Sequence, residues 1–433
     1  MTEMTEKARI GAPSAAPVID GFTEEGENLS PLTDNSHRGP LAGDSAKGHS
    51  HGGGVGVPDS SRAGRLTSYR LADFAPLTGR EEDWRFTPLK RLRGLHTDAL
   101  TGAAPTVAVA GPEGTALPAG VRVETVGRED GRIGVAGIPE DRVAAAAWEA
   151  FTEATVITIP AELQAASGII VSITGAGREA AAQHTVIVAE KFSKAVVVLD
   201  HRGSATLAQN VEVDIQDGAE LTLVTVQEWD DDAVHASAQA AKIGRDAKFK
   251  HVAVNLGGDL VRITPTSRFT QPGGDVEMYG LYFADAGQHL EQRLFVDHAV
   301  PNCKSRVLYK GALQGKDAHT VWVGDVLIRK EAEGTDTYEV NRNLVLTDGA
   351  RADSVPNLEI ETGLIEGAGH ASATGRFDDE QLFYLMARGI PEETARRLVV
   401  RGFLHEIIQH VKVPELEARL TDAVERELAA GNN

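Results

Sequence analysis

A chain of 433 residues with a formal net charge of −20, set by 43 Lys and Arg against 63 Asp and Glu, has length for more than one domain and is too acidic for a general nucleic-acid footprint. Its only cysteine, Cys303, excludes an internal disulfide and a four-thiolate metal site built from one chain. The first residues lack the basic-then-apolar pattern of a signal peptide and no apolar run reaches bilayer length, so the expectation is a cytoplasmic protein whose partners are proteins or metals, with no nucleic acid and no membrane.

Residues 1–62 are rich in Gly, Ser, Pro, Asp and Glu and read as a disordered tail. His37, His49 and His51 lie among its glycines, where flexible imidazoles without orienting partners read as solvated rather than metal-binding. Residues 63–155 are expected to form a small N-terminal α/β module. Within it Glu81, Glu82 and Asp83 precede Trp84 and Arg85, and the carboxylates suit the first turn of a helix that Pro88 would limit. Trp84 with Arg85 stacked on it reads as packing rather than as a site. Ala144 to Phe151, with Trp148, predicts a short helix.

From residue 156 to 375 the pattern changes to period two. Thr185–Val188, Ala195–Leu199, Val211–Ile215, Glu220–Val224, Lys248–Val252 and Val321–Gly324 are β-branched or alternating runs separated by Gly, Asp and Asn. Small turn residues recur at Ala219, Ala247 and Gly274, 28 and 27 residues apart, about one coil of a β-helix rather than one hairpin. Asp348-Gly349-Ala350-Arg351 fits the same kind of turn. The fold expected is therefore mainly β: a right-handed parallel β-helix core flanked by the N-terminal α/β module and a C-terminal helical domain, the two flanks covering its ends.

Residues 376–433 carry the clearest helical signals. Asp378, Asp379 and Glu380 suit a helix start, Arg388 and Gly389 its end, and Pro391 the first position of a second helix. In that helix Ala395, Val399, Phe403 and Ile407 form one stripe with Leu404 and Ile408 beside it; Pro414 opens a third helix bearing Leu416, Leu420, Val424 and Leu428. Such stripes mean core first, and a docking face for another subunit second.

Several catalytic patterns fail. His405 and His410 are spaced five apart, which rotates the second imidazole off the face a zinc-protease helix needs. Neither a phosphate-binding G-x-x-x-x-G-K-[ST] nor a G-x-S-x-G occurs. One enzymatic alternative is a β-helix carbohydrate-active enzyme working through clustered Asp residues, against which the dispersal of acidic residues through turns counts.

Four segments stand out together: Glu81 to Thr87; His298-Ala299-Val300-Pro301-Asn302-Cys303-Lys304-Ser305 with Tyr309-Lys310-Gly311; Asn341 to Leu346 with Ala352 to Ile360; and His370 to Ile390. In this order, over roughly residues 68 to 425, they resemble the SufB/SufD family of iron–sulfur assembly scaffolds. The resemblance implies a non-enzymatic scaffold paired through its β-helix with a SufB-like paralogue and, through its C-terminal helices, with a SufC-like ABC ATPase that hydrolyses the ATP. It places His370 opposite a partner cysteine as a shared ligand for iron or a transient iron–sulfur cluster. It also suggests Phe383, Tyr384, Arg388, Gly389 and Phe403 as partner-binding residues. Many relatives carry Cys-Ser-His where this chain has Ala368-Gly369-His370, which weakens a sulfur-carrying role; Cys303 reads as a buried small hydrophobe. A self-sufficient SufB-like scaffold is the family alternative. A flavin has no support in the residues, and a homodimer of the isolated chain along a sheet edge is left open.

Overall fold

The computed structural model describes residues 64–97, 99–376 and 379–430. The tail expected over residues 1–62, with His37, His49 and His51, lies outside the described residues.

The strands form two nine-stranded sheets and, from the third strand on, alternate between them. The first holds, in spatial order, β1 (Thr106–Ala110), β4 (Ile169–Thr174), β6 (Lys194–Gly203), β8 (Glu220–Trp229), β10 (Lys248–Asn255), β12 (Asp275–Ala284), β14 (Lys304–Leu313), β16 (Asp336–Val345) and β18 (Gly367–Arg376). The second runs β2 (Arg122–Gly127), β3 (Glu153–Ile159), β5 (Gly177–Ala189), β7 (Ala205–Ile215), β9 (Val234–Ile243), β11 (Leu260–Phe269), β13 (His289–His298), β15 (His319–Ile328) and β17 (Arg351–Ile360). Within each sheet every pairing is parallel except the first, where β1 meets β4 and β2 meets β3 antiparallel. The chain is thus a parallel β-solenoid, one coil contributing one strand to each sheet.

Coil length varies from 26 residues, Lys194 to Glu220, to 32, Lys304 to Asp336. Glu220, Lys248, Asp275 and Lys304 stand in one register, so the preceding residues Ala219, Ala247, Gly274 and Cys303 stack at one corner. Ala219, Ala247 and Cys303 are wholly buried there, because successive coils close on each other with no room for a larger side chain. Burial also raises the Cys303 thiol above its ordinary range, leaving it an inert packing group. The Asp348 to Arg351 turn belongs instead to the opposite corner, since Arg351 pairs with His319 in the second sheet. Turn chemistry is alike at both corners, so sequence alone does not separate them.

Inward side chains of the two sheets form one apolar core, including Ile157, Leu199, Leu223, Phe269, Tyr309 and Trp322. Each outer face has its own cover. Helix α1 (Arg142–Ala150), capped by Asp141 accepting from the Ala144 amide at 2.8 Å, packs with Trp84, Leu92 and Leu95 on the second sheet. Helices α3 (Glu392–Ile408) and α4 (Pro414–Ala430) pack on the first, burying Val224, Val252 and Leu281 against Leu404, Ile407 and Leu420. Arg419 clamps α4 to β6 through both Asp200 oxygens at 2.8 and 2.9 Å.

Five local expectations change. The described residues of the N-terminal region form no sheet of their own, because β1 and β2 extend the solenoid sheets. Glu81 to Thr87 forms successive i+3 turns, Trp84 N to Glu81 O and Thr87 N to Trp84 O, rather than an α-helix. The guanidinium stacked 3.9 Å from the Trp84 ring is that of Arg262 on β11; Arg85, a sequence neighbour, lies over Phe86 instead. Pro391 is the N-cap of α3, and the buried stripe of that helix is Ala395, Val400, Leu404, Ile407 and Ile408, with Val399 and Phe403 at its margin. The C-terminal helices lie along a sheet face rather than across the solenoid end, burying their apolar stripes against the apolar outer side chains of the first sheet.

Candidate functional site

Among the described residues no helix lies across the C-terminal end of the solenoid, which they leave open. Among the described residues β17 pairs only with β15, and β18 only with β16, so both sheets finish there on an unpaired edge. Along β18 every residue from His370 to Arg376 is exposed, and Ile360 and Leu364 near β17 are large apolar side chains in solvent. Unpaired backbone donors and acceptors beside exposed apolar surface form an edge that a second strand pair would complete.

The interior changes character as it approaches this end. On β6 the inward positions Ala195, Val197 and Leu199 are apolar; on β16 they are Thr337, Glu339, Asn341 and Asn343, all buried. The amides are satisfied across the coil: Tyr282 Oη donates to Asn343 Oδ1 at 2.6 Å, Asn341 Nδ2 donates to Tyr282 Oη at 2.8 Å, and Ser354 Oγ donates to Asn341 Oδ1 at 2.7 Å. Asn343 reaches Thr374 of β18 at 3.2 Å, tying the last coil to the one before. Glycines make room for the rings: a Cβ on Gly311 would lie 1.9 Å from Tyr282, and one on Gly280 1.9 Å from Tyr309.

Glu339 is the exception to this satisfaction. Its side chain is fully buried and neither oxygen has a hydrogen-bond partner among the described residues. Burial, then the nearby charge of Asp325, pushes its carboxyl up to about 8, the Asn357 backbone N–H opposing this from outside full hydrogen-bond geometry. At neutral pH it therefore carries a proton. One coil on, in register with it, stands His370, its Nδ1 3.8 Å from Glu339 Oε1. The imidazole is 42% exposed at the open end, and Nε2 is the nitrogen left for an outside ligand. The alternation that points His370 inward therefore does not hide it, because no further coil follows.

The other predicted residues fall in two places. Phe383 and Tyr384 on helix α2 (Asp379–Met386) are 73% and 54% exposed, with the Arg388 guanidinium 4.1 Å above the Tyr384 ring. Gly389, at φ +84°, ends that helix in the left-handed conformation glycine takes without strain. Phe403 is engaged within the chain, half-buried beneath Lys310 Nζ at 4.5 Å, and Lys310 in turn pairs with Glu406. His410 stacks on Tyr279 with centroids 3.7 Å apart while His405 faces solvent, so the two share nothing. Reasoning from the sequence missed Glu339; its signal was a separation of 31 residues, one coil, from His370.

Among the described residues no group of three or more His, Cys, Asp or Glu side chains is arranged to hold a metal ion. His370 offers one donor, and completion of a site at this end requires donors from elsewhere.

Comparison with known proteins fits this architecture. Residues 171–403 match the model of the SUF system FeS cluster assembly SufBD core domain. Similar chains include the iron–sulfur cluster assembly SufBD family protein of Mycobacterium bovis, 59% identical over 84% of this chain and 92% of that protein. The corresponding protein of Mycobacterium leprae is 57% identical over 84% of this chain and 94% of its own length. The iron–sulfur cluster assembly protein SufD of Plasmodium falciparum is 30% identical over 46% of this chain and 13% of its length. These matches set aside the carbohydrate-active alternative. The chain belongs to the SufBD family of iron–sulfur cluster assembly proteins.

Proposed function

We propose that this protein is a non-enzymatic scaffold subunit that pairs with a SufB-like paralogue through the β17–β18 end and receives a SufC-like ABC ATPase on its C-terminal helices. The single observation behind this reading is the half-exposed imidazole of His370 on the last strand of its sheet, at an end that no other described residues cover. A nascent iron–sulfur cluster or its iron, as cargo, would take Nε2 of His370 on this side and a thiolate from the paralogue on the other, since this chain's Cys303 is sealed in the core. Protonated Glu339 behind the ring would keep Nδ1 from facing a charge until cargo arrives. Phe383 and Tyr384 on α2, with Arg388 just after it, would supply an apolar and cationic face for the ATPase, Gly389 closing the turn that ends the helix; Phe403 would contribute from α3, where Lys310 covers it. A cytoplasmic setting follows from this role. A flavin has no part in this scheme.

Co-purification from the native cytosol tests the reading. Recovery of this chain with a paralogue and an ATPase is the expected result, and recovery with neither overturns it.

A further inference from the structure

Away from the open end, on the outer face of the second sheet, His289 and His319 begin adjacent strands and stand in register one coil apart. Their Nδ1 atoms face each other at 3.1 Å, the rings inclined at 65°. Each ring's other nitrogen meets a carboxylate: His289 Nε2 is 3.3 Å from Glu291 Oε2, and His319 Nε2 is 2.7 Å from Asp353 Oδ2.

The carboxylates lie among guanidinium groups. Arg262 Nε and Arg293 Nη1 are 3.3 and 3.6 Å from Glu291 Oε1, and Arg351 Nε is 2.8 Å from Asp353 Oδ2. Thr87 Oγ1 donates to Glu291 Oε2 at 2.6 Å. Carboxylates so surrounded are ionised and only accept, so each imidazole gives its Nε2–H and turns a bare Nδ1 lone pair toward its neighbour. Two lone pairs at 3.1 Å repel unless a cation lies between them.

We propose that His289 and His319 form a two-nitrogen site for a borderline divalent transition-metal ion such as zinc, oriented by Glu291 and Asp353 and completed by water. Carboxylates behind both rings are the arrangement that fixes tautomer and orientation in metal-binding histidines. Nitrogens 3.1 Å apart subtend about 100° at an ion 2.0–2.1 Å from each, near the tetrahedral angle. His289 is buried, whereas the His319 and Asp353 side chains are 22% and 20% exposed, so the remaining coordination positions face solvent. This site is independent of His370, which points into the solenoid from the first sheet.

The test uses the full chain with His37, His49, His51 and His370 replaced by Ala, stripped with chelator and titrated calorimetrically with zinc. One zinc ion per chain is expected, with affinity reduced roughly 10- to 100-fold by Asp353→Asn and lost with His319→Ala. Failure of the background protein to bind zinc overturns the proposal in favour of a single shared proton. Undiminished binding in His319→Ala overturns it as well. Should that variant not fold, zinc-edge anomalous diffraction from crystals of the background protein decides: a peak bridging the two Nδ1 atoms supports the site, and none refutes it.

Discussion

Glu339 and His370 are one coil apart in register, and the imidazole Nδ1 stands 3.8 Å from a buried carboxyl oxygen that has no hydrogen-bond partner among the described residues. That separation is too long for a hydrogen bond, so the acid is held uncharged by burial rather than ion-paired. The last complete coil therefore stores an electrostatic cost directly beneath the exposed ring.

That cost has a pH signature. The Glu339 carboxyl rises from an ordinary value of 4.5 in the unfolded chain to about 8 in the fold. Between those values the folded state binds the extra proton, so stability is fully present below about 4.5 and declines as pH rises toward 8. Glu339→Gln removes the dependence, and thermal melting should show the variant gaining on the parent by on the order of 4 kcal/mol at pH 8 and by little at pH 5. Parallel melting curves across that range would refute the buried neutral acid.

His370→Ala should leave partner capture intact while cluster transfer to an acceptor protein falls at least 10-fold, measured by anaerobic reconstitution of the purified complex. The ring is half-exposed and its loss opens no cavity, so the variant's melting temperature should stay within about 2 °C of the parent. Normal transfer removes the ligand role.

On α2, Phe383→Ala combined with Tyr384→Ala should abolish recovery of the ATPase in pull-down while costing at most about 0.5 kcal/mol each in denaturant unfolding, because both rings are already in solvent. Undiminished recovery would move the docking face elsewhere on the chain.

Gly311→Ala should destabilise the chain by several kcal/mol, on the order of 3, since the added methyl occupies the space of the Tyr282 ring, itself bonded to Asn341 and Asn343. Chemical denaturation of the purified variant measures this. A mild effect would mean the ring can move aside and the polar network is not rigid.

Trp84→Ala should cost about 3–5 kcal/mol and Arg85→Ala well under 1, because Arg262 and not Arg85 covers the indole. Comparing the two midpoints in guanidinium decides between them.

Legibility in the sequence followed the range of the interaction. Period-two runs between residues 185 and 324 all fall inside strands, and the spacing of Ala219, Ala247 and Gly274 matches the observed register, because a solenoid coil contacts only its neighbours and each repeats the same constraint. Leu416, Leu420, Val424 and Leu428 are all buried as their spacing predicts. The stripe on α3 shifted toward Val400 and Leu404 because the helix meets a sheet face whose position no local pattern records. Arg262 displaced Arg85 over Trp84 for the same reason: 178 residues of chain separate the partners, and only folding brings them together.

The order of residues alone determined that this chain is a stack of parallel coils with helices at its C-terminal end, since alternation, small corner residues and helix caps are local constraints that each segment satisfies by itself. Tertiary structure decided which surfaces those helices cover, and therefore which end stays open. With α3 and α4 on the outer face of the first sheet, the far edges of β17 and β18 have no further strand among the described residues, which exposes His370 with Glu339 behind it, while the β13–β15 register on the second sheet aligns His289 with His319.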